Sequence, residues 1–232
     1  MIKAVFFDLD GTLLPIDQDL FVQYYFDMLA KKFAAFGYEP NKLINAIIHA
    51  SKAMIKNNGS RTNEAVFWED YVNSFGEQAR THAPLFIDFY SKEYQKIKDI
   101  CGFHYLAAKI VRAQKEKGRR VVLATNPVFP TIATESRIRW AGLEPEDFEL
   151  ITSYENFNYC KPNLNYYREL LRRMNLTAKD CVMVGNDVEE DMIADQLGMK
   201  VFLMTECLIN QNDADISEFP QGDFKELQEY LN

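Results

Sequence analysis

Short apolar runs are separated by helical patterns along most of this chain. Residues 2–7 form a nearly continuous apolar run, rich in β-branched and aromatic residues, that ends at Asp8. Similar runs occupy residues 120–125, 148–151, 181–185 and 200–204. Such runs are typical of strands that are buried on both faces of a parallel sheet. The pattern therefore predicts five strands.

Helical patterns separate the later strands, at residues 103–117, 131–141, 163–174 and 189–197. Gly118, Gly142 and Gly198 follow three of these patterns. Glycine is common just beyond a helix because it takes the left-handed conformation without a clash of a Cβ atom. Alternating strands and helices predict an α/β fold with a doubly wound parallel sheet.

The segment between residues 15 and 102 has a different pattern. No strand run occurs there, and apolar residues recur at steps of three or four, as at Leu20, Tyr24 and Met28. This spacing predicts four helices, at about residues 17–36, 40–56, 62–75 and 84–98. We therefore predict a catalytic core of residues 1–14 and 103–232, interrupted by a helical cap of residues 15–102.

The predicted cap is rich in aromatic residues. Its four helices need large side chains to bury their inner faces, so we expect most of these residues to form the core of the cap. A minority of them is expected to line a substrate chamber or a dimer contact. The pattern does not distinguish a monomer from a homodimer.

Composition narrows the classes of partner. The chain is 47% hydrophobic and 26% charged, as in folded globular proteins, and 26 basic against 34 acidic residues give a net charge of −8. An acidic chain of this kind is not expected to present the basic face that binding to nucleic acids or anionic membranes requires.

The four cysteines lie far apart, which indicates neither a disulfide framework nor a zinc site. With no secretion signal or membrane-spanning run, we expect a cytoplasmic protein.

Polar residues stand where the predicted strands end. Asp8 and Asp10 follow the first strand, and Thr125 and Asn126 lie at the end of the second. Asn186 and Asp187 end the strand near residue 185, and Asp191 follows. In open parallel sheets, ligands bind beyond the carboxyl ends of the strands. We therefore expect these side chains to share one site.

The chemistry of this set favours a magnesium-dependent phosphoryl transfer. Carboxylates this close repel one another unless a divalent cation neutralises them, and a set of oxygen ligands favours Mg²⁺. Asp8 would attack phosphorus, and Asp10 would carry protons. The Thr125 hydroxyl, the Asn126 amide and the Lys161 ammonium would stabilise the charge on the transferred phosphoryl group.

In order and spacing, these residues resemble the four motifs of the haloacid dehalogenase (HAD) superfamily of hydrolases. The matching segments are Asp8-Leu9-Asp10-Gly11-Thr12, Thr125-Asn126, Lys161-Pro162, and Val184-Gly185-Asn186-Asp187 with Asp191. The resemblance covers the whole chain. It implies a Rossmann-like core with a helical cap inserted after the first motif.

The resemblance also implies roles for individual residues. Asp8 would be the nucleophile that forms an aspartyl-phosphate, and Asp10 the general acid and base that also binds Mg²⁺ through its backbone carbonyl. Thr125 and Lys161 would hold the phosphate, and Asp187 would complete the metal site. The second acid, Asp10, points to the phosphatase branch of the superfamily.

The fourth motif departs from the pattern of the superfamily, because Asn186 stands where many members have an aspartate. Two interpretations remain open at this stage. Either Asp187 and Asp191 form the acidic pair at the metal, or Asn186 occupies the ligand position and Asp191 carries the charge. We favour the first, because a carboxylate is the better ligand for Mg²⁺.

The leading hypothesis is a cytoplasmic Mg²⁺-dependent phosphatase that acts on a small phosphorylated metabolite. One alternative is a non-catalytic binding or regulatory protein that keeps the fold and acts through the aromatic cap. A second alternative is a phosphotransferase or phosphomutase that uses the same aspartyl-phosphate but protects it from water.

Overall fold

A parallel sheet of six strands forms the centre of the computed structural model, which describes residues 1–232. The strands are β1 (Ala4–Phe7), β2 (Arg120–Leu123), β3 (Leu150–Ile151), β4 (Cys181–Gly185), β5 (Lys200–Met204) and β6 (Gln221–Gly222). Their order is β3-β2-β1-β4-β5-β6, and every neighbouring pair is parallel. The predicted α/β fold with a parallel sheet is confirmed.

Strand β1 lies in the middle of the sheet and is buried on both faces. Ala4 pairs with Arg120 on one side and with Cys181 on the other. Val5 and Phe7 belong to an apolar cluster of 45 residues, whereas Phe6 belongs to a cluster of 17 residues with Ala4. Because successive side chains point to opposite faces, a strand with two apolar faces needs an uninterrupted apolar sequence.

Four α-helices connect β1 to the rest of the core: α1 (Gln18–Ala34), α2 (Pro40–Ile55), α3 (Asn63–Phe75) and α4 (Ala83–Ser91). Side chains cap the start of three of them: Asp17 accepts a hydrogen bond from the Leu20 amide, Thr62 accepts one from the Ala65 amide, and Glu39 caps α2. The inner faces of these helices join the 45-residue cluster. The helices and one face of the sheet therefore share a single apolar interior.

The prediction of one helix over residues 84–98 is wrong in its extent. Helix α4 ends at Ser91, and 3₁₀-helices occupy Glu77–His82 and Glu93–Ile100. Tyr94 and Ile97 in the second 3₁₀ segment are fully buried. Apolar residues three positions apart suit a 3₁₀-helix and an α-helix alike over so short a stretch, so spacing did not separate the two.

The remaining helices are α5 (Tyr105–Glu116), α6 (Thr131–Trp140), α7 (Leu164–Met174) and α8 (Phe224–Tyr230). The helix predicted at residues 189–197 is a 3₁₀-helix that begins at Met192. Strand β6 and helix α8 were not predicted, although Asp223 and Glu226 form a capping box at the start of α8. No helix in the molecule is both long and apolar enough to cross a bilayer.

Candidate active site

The sheet brings most of the predicted site residues to one cavity of about 210 Å³. The cavity lies beyond the carboxyl ends of β1, β2 and β4, where the strand order reverses around β1. Its walls include Asp8, Asp10, Thr125, Asn126, Asn186, Asp187 and Asp191. The predicted proximity of these residues is therefore observed, while their chemical roles stay predictions.

Lys161 lies buried behind the cavity wall between two carboxylates. Its Nζ donates hydrogen bonds to Asp8 Oδ1 at 2.9 Å and to Asp191 Oδ1 at 2.5 Å. Burial alone would lower the pKa of this ammonium, but the carboxylates of Asp191 and Asp8 outweigh that effect and raise its pKa well above the ordinary value. Lys161 is therefore a permanent cation at the site.

Asp191 has a protein partner on each carboxylate oxygen. Oδ1 accepts the Lys161 bond, and Oδ2 accepts a hydrogen bond of 3.1 Å from the backbone amide of Asp187. The side chain lies so close to Gly185 that any Cβ atom at that position would collide with it. Glycine at the end of β4 thus makes room for the carboxylate that holds Lys161.

The side chain of Asp187 closes the turn that follows β4. Its Oδ1 accepts hydrogen bonds of 2.8 and 2.9 Å from the backbone amides of Glu189 and Glu190. This arrangement is the local turn in which an aspartate side chain accepts hydrogen bonds from backbone amides two and three residues later, and the 3₁₀-helix begins only at Met192. Asp187 also lines the cavity, so one residue both shapes the loop and contributes a carboxylate to the wall.

Asn186 joins the first and fourth motif segments. Its Oδ1 accepts a hydrogen bond of 2.8 Å from the Thr12 hydroxyl, and its Nδ2 donates one of 2.7 Å to the Cys207 carbonyl. Gly11 has φ of +86°, and a Cβ atom there would collide with the Asn186 amide. Gly11 is therefore required both for the turn and for this close approach. The choice between Asn186 and Asp187 as a metal ligand stays a prediction.

Asp10 faces a different cation from Asp8. Arg137 Nε lies 2.9 Å from Asp10 Oδ1, and the Arg137 side chain is fully buried. Arg137 Nη1 donates a hydrogen bond of 2.6 Å to the Tyr94 hydroxyl, and the guanidinium lies 4.4 Å from the centre of the Phe129 ring. Burial raises the pKa of Asp10, an effect that Arg137 opposes. Burial thus favours the protonated form of Asp10, and Arg137 favours its carboxylate.

The sequence pattern did not single out Arg137 or Glu190. Arg137 stands inside a helix, where an arginine is usually solvated, and its polar neighbours Ser136 and Arg139 give no sign of its burial. Glu190 lines the cavity and accepts a hydrogen bond of 2.9 Å from Asn126 Nδ2. Burial raises the pKa of Glu190 to about 7, although Lys161 opposes the shift. In the sequence, Glu190 looks like one more acidic residue in a first helical turn.

The cavity wall fits a hard divalent cation. Asp8, Asp10 and Asp187 offer carboxylate oxygens without histidine or cysteine nearby, which is the donor chemistry that Mg²⁺ prefers. No three His, Cys, Asp or Glu side chains converge into a ready-made cage. Such a cage is not needed for Mg²⁺, which usually keeps several waters and takes only one or two protein carboxylates together with substrate phosphate.

Comparison with known proteins agrees with this geometry. Residues 2–194 match the family model of haloacid dehalogenase-like hydrolases. The chain belongs to this family. Two curated relatives, both named glyceraldehyde 3-phosphate phosphatase, come from Methanothermobacter thermautotrophicus and Methanocaldococcus jannaschii. The first is 27% identical with 100% of both chains covered, and the second is 26% identical with 98% of this chain and 96% of the relative covered.

The fold is also similar to that of solved structures in the family. A 2-haloacid dehalogenase from Pseudomonas syringae superposes with a TM-score of 0.65 at 20% identity, and the match covers 100% of this chain and 98% of the dehalogenase. At this identity the likeness concerns the fold alone.

Proposed function

We propose that this protein is a Mg²⁺-dependent phosphatase that hydrolyses a small phosphorylated metabolite through an aspartyl-phosphate on Asp8. The observation that carries the proposal is the bond between Asp8 and the buried Lys161 at the wall of a cavity that also contains Thr125 and Asp10. These groups supply a nucleophile, two hydrogen-bond donors for the phosphate oxygens and a proton carrier.

In the first step, the phosphate ester lies against Asp8 with its oxygens near the Thr125 hydroxyl and the Lys161 ammonium. Because Lys161 holds Asp8 Oδ1, the second oxygen of Asp8 is available to attack phosphorus. A bond forms between that oxygen and phosphorus while the ester P–O bond breaks. Asp10 gives its proton to the leaving alkoxide, which departs as the alcohol.

In the second step, water attacks phosphorus and Asp10, now a carboxylate, accepts the proton of that water. The bond between phosphorus and Asp8 breaks, which releases inorganic phosphate and restores the Asp8 carboxylate. Lys161 stays charged throughout and offsets negative charge on the phosphoryl oxygens.

The Asp8 carboxylate, the Asp10 backbone carbonyl and the Asp187 carboxylate would hold the magnesium ion, and the buried Asp191 would support them through Lys161. When bound, Mg²⁺ supplies charge neutralisation that lets an anionic phosphate approach anionic carboxylates.

The names of the two archaeal relatives make glyceraldehyde 3-phosphate the first substrate to test. The full chain should be assayed for phosphate release from a panel that adds sugar phosphates, nucleotides and phosphoglycolate, with Mg²⁺ and with EDTA. We expect release that requires Mg²⁺, and in ¹⁸O-water the phosphate should carry the label, because water rather than a second metabolite accepts the phosphoryl group. Folded protein that releases no phosphate from any ester would refute the proposal.

A further inference from the structure

A second cavity, of about 180 Å³, lies among the helices that connect β1 to β2. We call it the aromatic chamber, and its walls include Tyr25, Phe26, Phe67, Trp68, Phe86 and Tyr90. Of the 14 residues that line it, 12 are hydrophobic and none is charged. Nothing in the proposed phosphoryl transfer uses this space.

The aromatic chamber adjoins the catalytic cavity. Phe21 and Val22 from α1, together with Val128 and Phe129 from the loop after β2, line both cavities. A ligand anchored near Asp8 therefore has an apolar space directly behind these four side chains. The shared walls place the chamber next to the proposed site of the reacting phosphate.

The chamber provides few polar partners for a ligand. The hydroxyls of Tyr25 and Tyr90 lie 2.9 Å apart and bond to each other, and the other polar groups of the lining residues are the Ser51 and Tyr154 hydroxyls and the Trp68 indole N–H. A sugar or triose that enters this space would lose water around its hydroxyls and replace only a few of those hydrogen bonds, which costs free energy. A carboxylate or second phosphate would find no cation there.

We propose that the aromatic chamber binds the apolar leaving group of the substrate, so that the preferred substrates are phosphate monoesters of short alkyl or aryl alcohols. The inference rests on the proposed phosphatase function and names its substrate class. The volume matches this class, because an apolar cavity of about 150 Å³ in another protein accommodates a benzene ring. The two curated relatives are named for a polar triose phosphate, whereas the aromatic chamber would favour less polar esters.

The first test is a series of n-alkyl phosphates from ethyl to octyl, whose leaving alcohols share nearly the same acidity. We expect kcat/KM to rise about fourfold for each added methylene. The rise should stop near hexyl phosphate, when the chamber is full. Glycerol 3-phosphate is the polar match for butyl phosphate and should be the poorer substrate. A flat series, or a preference for glycerol 3-phosphate, overturns this inference and leaves the phosphatase function standing.

A ring placed in the chamber should weaken the preference for long alkyl chains. Ser51 lies on the wall in α2, and Ser51→Phe would occupy the space with a ring. We expect at least a tenfold loss in kcat/KM for hexyl phosphate with ethyl phosphate unaffected. The matched control is Ile55→Phe, on the same helix at a side chain that is 43% exposed, which should change neither. Equal effects of the two variants on hexyl phosphate would overturn the proposal.

A binding measurement without turnover separates this inference from the proposed function. Trp68 lines the chamber and Trp140 is the only other tryptophan, so Trp140→Phe leaves one reporter. We expect 1-hexanol to shift Trp68 fluorescence saturably and glycerol to leave it unchanged. No saturable response to hexanol overturns the chamber as a binding site. Hexanol binding by a protein that hydrolyses no ester refutes the phosphatase function, and the leaving-group role with it.

Discussion

Asp8 and Asp10 stand two residues apart in the sequence, but they face different surroundings. Asp8 is bound to a lysine that a second buried carboxylate, Asp191, also holds, and all three groups come from the sheet side of the molecule. Asp10 instead faces Arg137, which reaches away from the sheet to Tyr94 in the segment that follows α4. One carboxylate belongs to a closed ion cluster, and the other links the strand end to the inserted helices.

The difference matches what the proposed chemistry asks of each residue. A nucleophile must present one oxygen in a fixed direction, and the Lys161 bond orients Asp8 in that way. A proton carrier must exchange with substrate and water, and Asp10 has a side chain that is 21% exposed. Its contact with Arg137 is close, but neither the Asp10 Oδ1 nor the Arg137 Nε makes a well-directed hydrogen bond. Different tertiary partners therefore give these two neighbouring aspartates different surroundings.

The largest effect should come from Asp8→Asn. The amide has no charged oxygen to attack phosphorus, so we expect kcat to fall by about 10³-fold or more.

The Asp10→Asn variant should still accept the phosphoryl group from an activated aryl phosphate. It should then accumulate as a phosphorylated protein, because no base remains to activate the water of the second step. Intact mass measurement after mixing checks both variants. A phosphorylated Asp8→Asn protein would show that another residue is the nucleophile.

Removal of the central cation of the closed cluster should have the next largest effect. Lys161→Met leaves Asp8 and Asp191 buried without a counter-charge, and breaking a buried pair in this way costs about 3–5 kcal/mol of unfolding free energy. Urea denaturation measures the loss. The control is Lys3→Met, which breaks an ion pair of 2.7 Å with Asp180 at a side chain that is 62% exposed and should leave the midpoint almost unchanged.

A second substitution sharpens the same comparison. Adding Asp191→Asn to Lys161→Met should recover part of the lost stability, because it removes one of the two uncompensated charges. Additive losses in the double variant would mean that Lys161 and Asp191 do not stabilise each other.

The smallest of these effects should come from Tyr94→Phe, which tests the contact of Arg137 with Tyr94 and Asp10. The Tyr94 hydroxyl accepts the single well-directed hydrogen bond that Arg137 donates, because Arg137 Nε and Nη2 make none. Its loss leaves a buried guanidinium unsatisfied, which costs about 1–3 kcal/mol. Tyr105→Phe, at a side chain that is 66% exposed, is the control for urea denaturation and kcat. Identical midpoints for the two variants would show that the Tyr94 bond contributes nothing.

The sequence was most informative where local pattern and topology act together. The apolar runs predicted strands β1 to β5. Because parallel strands bring their carboxyl ends to one edge, the meeting of Asp8, Thr125 and Asp187 followed directly. Strand β6 has only two residues and no apolar run, which is why the pattern missed it. The 3₁₀ segments were missed because their apolar spacing differs little from that of an α-helix.

Other features of the site depend on packing between distant segments. Nothing local distinguishes Arg137 from a surface arginine, since its burial depends on Phe129 and Tyr94 from other parts of the chain. The hydrogen bonds of Asn186 could not be predicted either, because its partners Thr12 and Cys207 belong to other segments of the chain. The aromatic residues were conspicuous in the sequence, but only the packed helices show which of them enclose a space.

The apolar cluster of 45 residues runs without a break from the sheet into α1–α4. For anyone who wishes to exchange the inserted helices for those of a related enzyme, this continuity matters. Grafted helices would lack the sheet residues that complete their apolar core. The sheet would in turn expose the apolar side chains that Phe21 and Tyr25 had covered. Recipient surfaces would have to be redesigned together with the donor, and heating should melt helices and sheet in one transition.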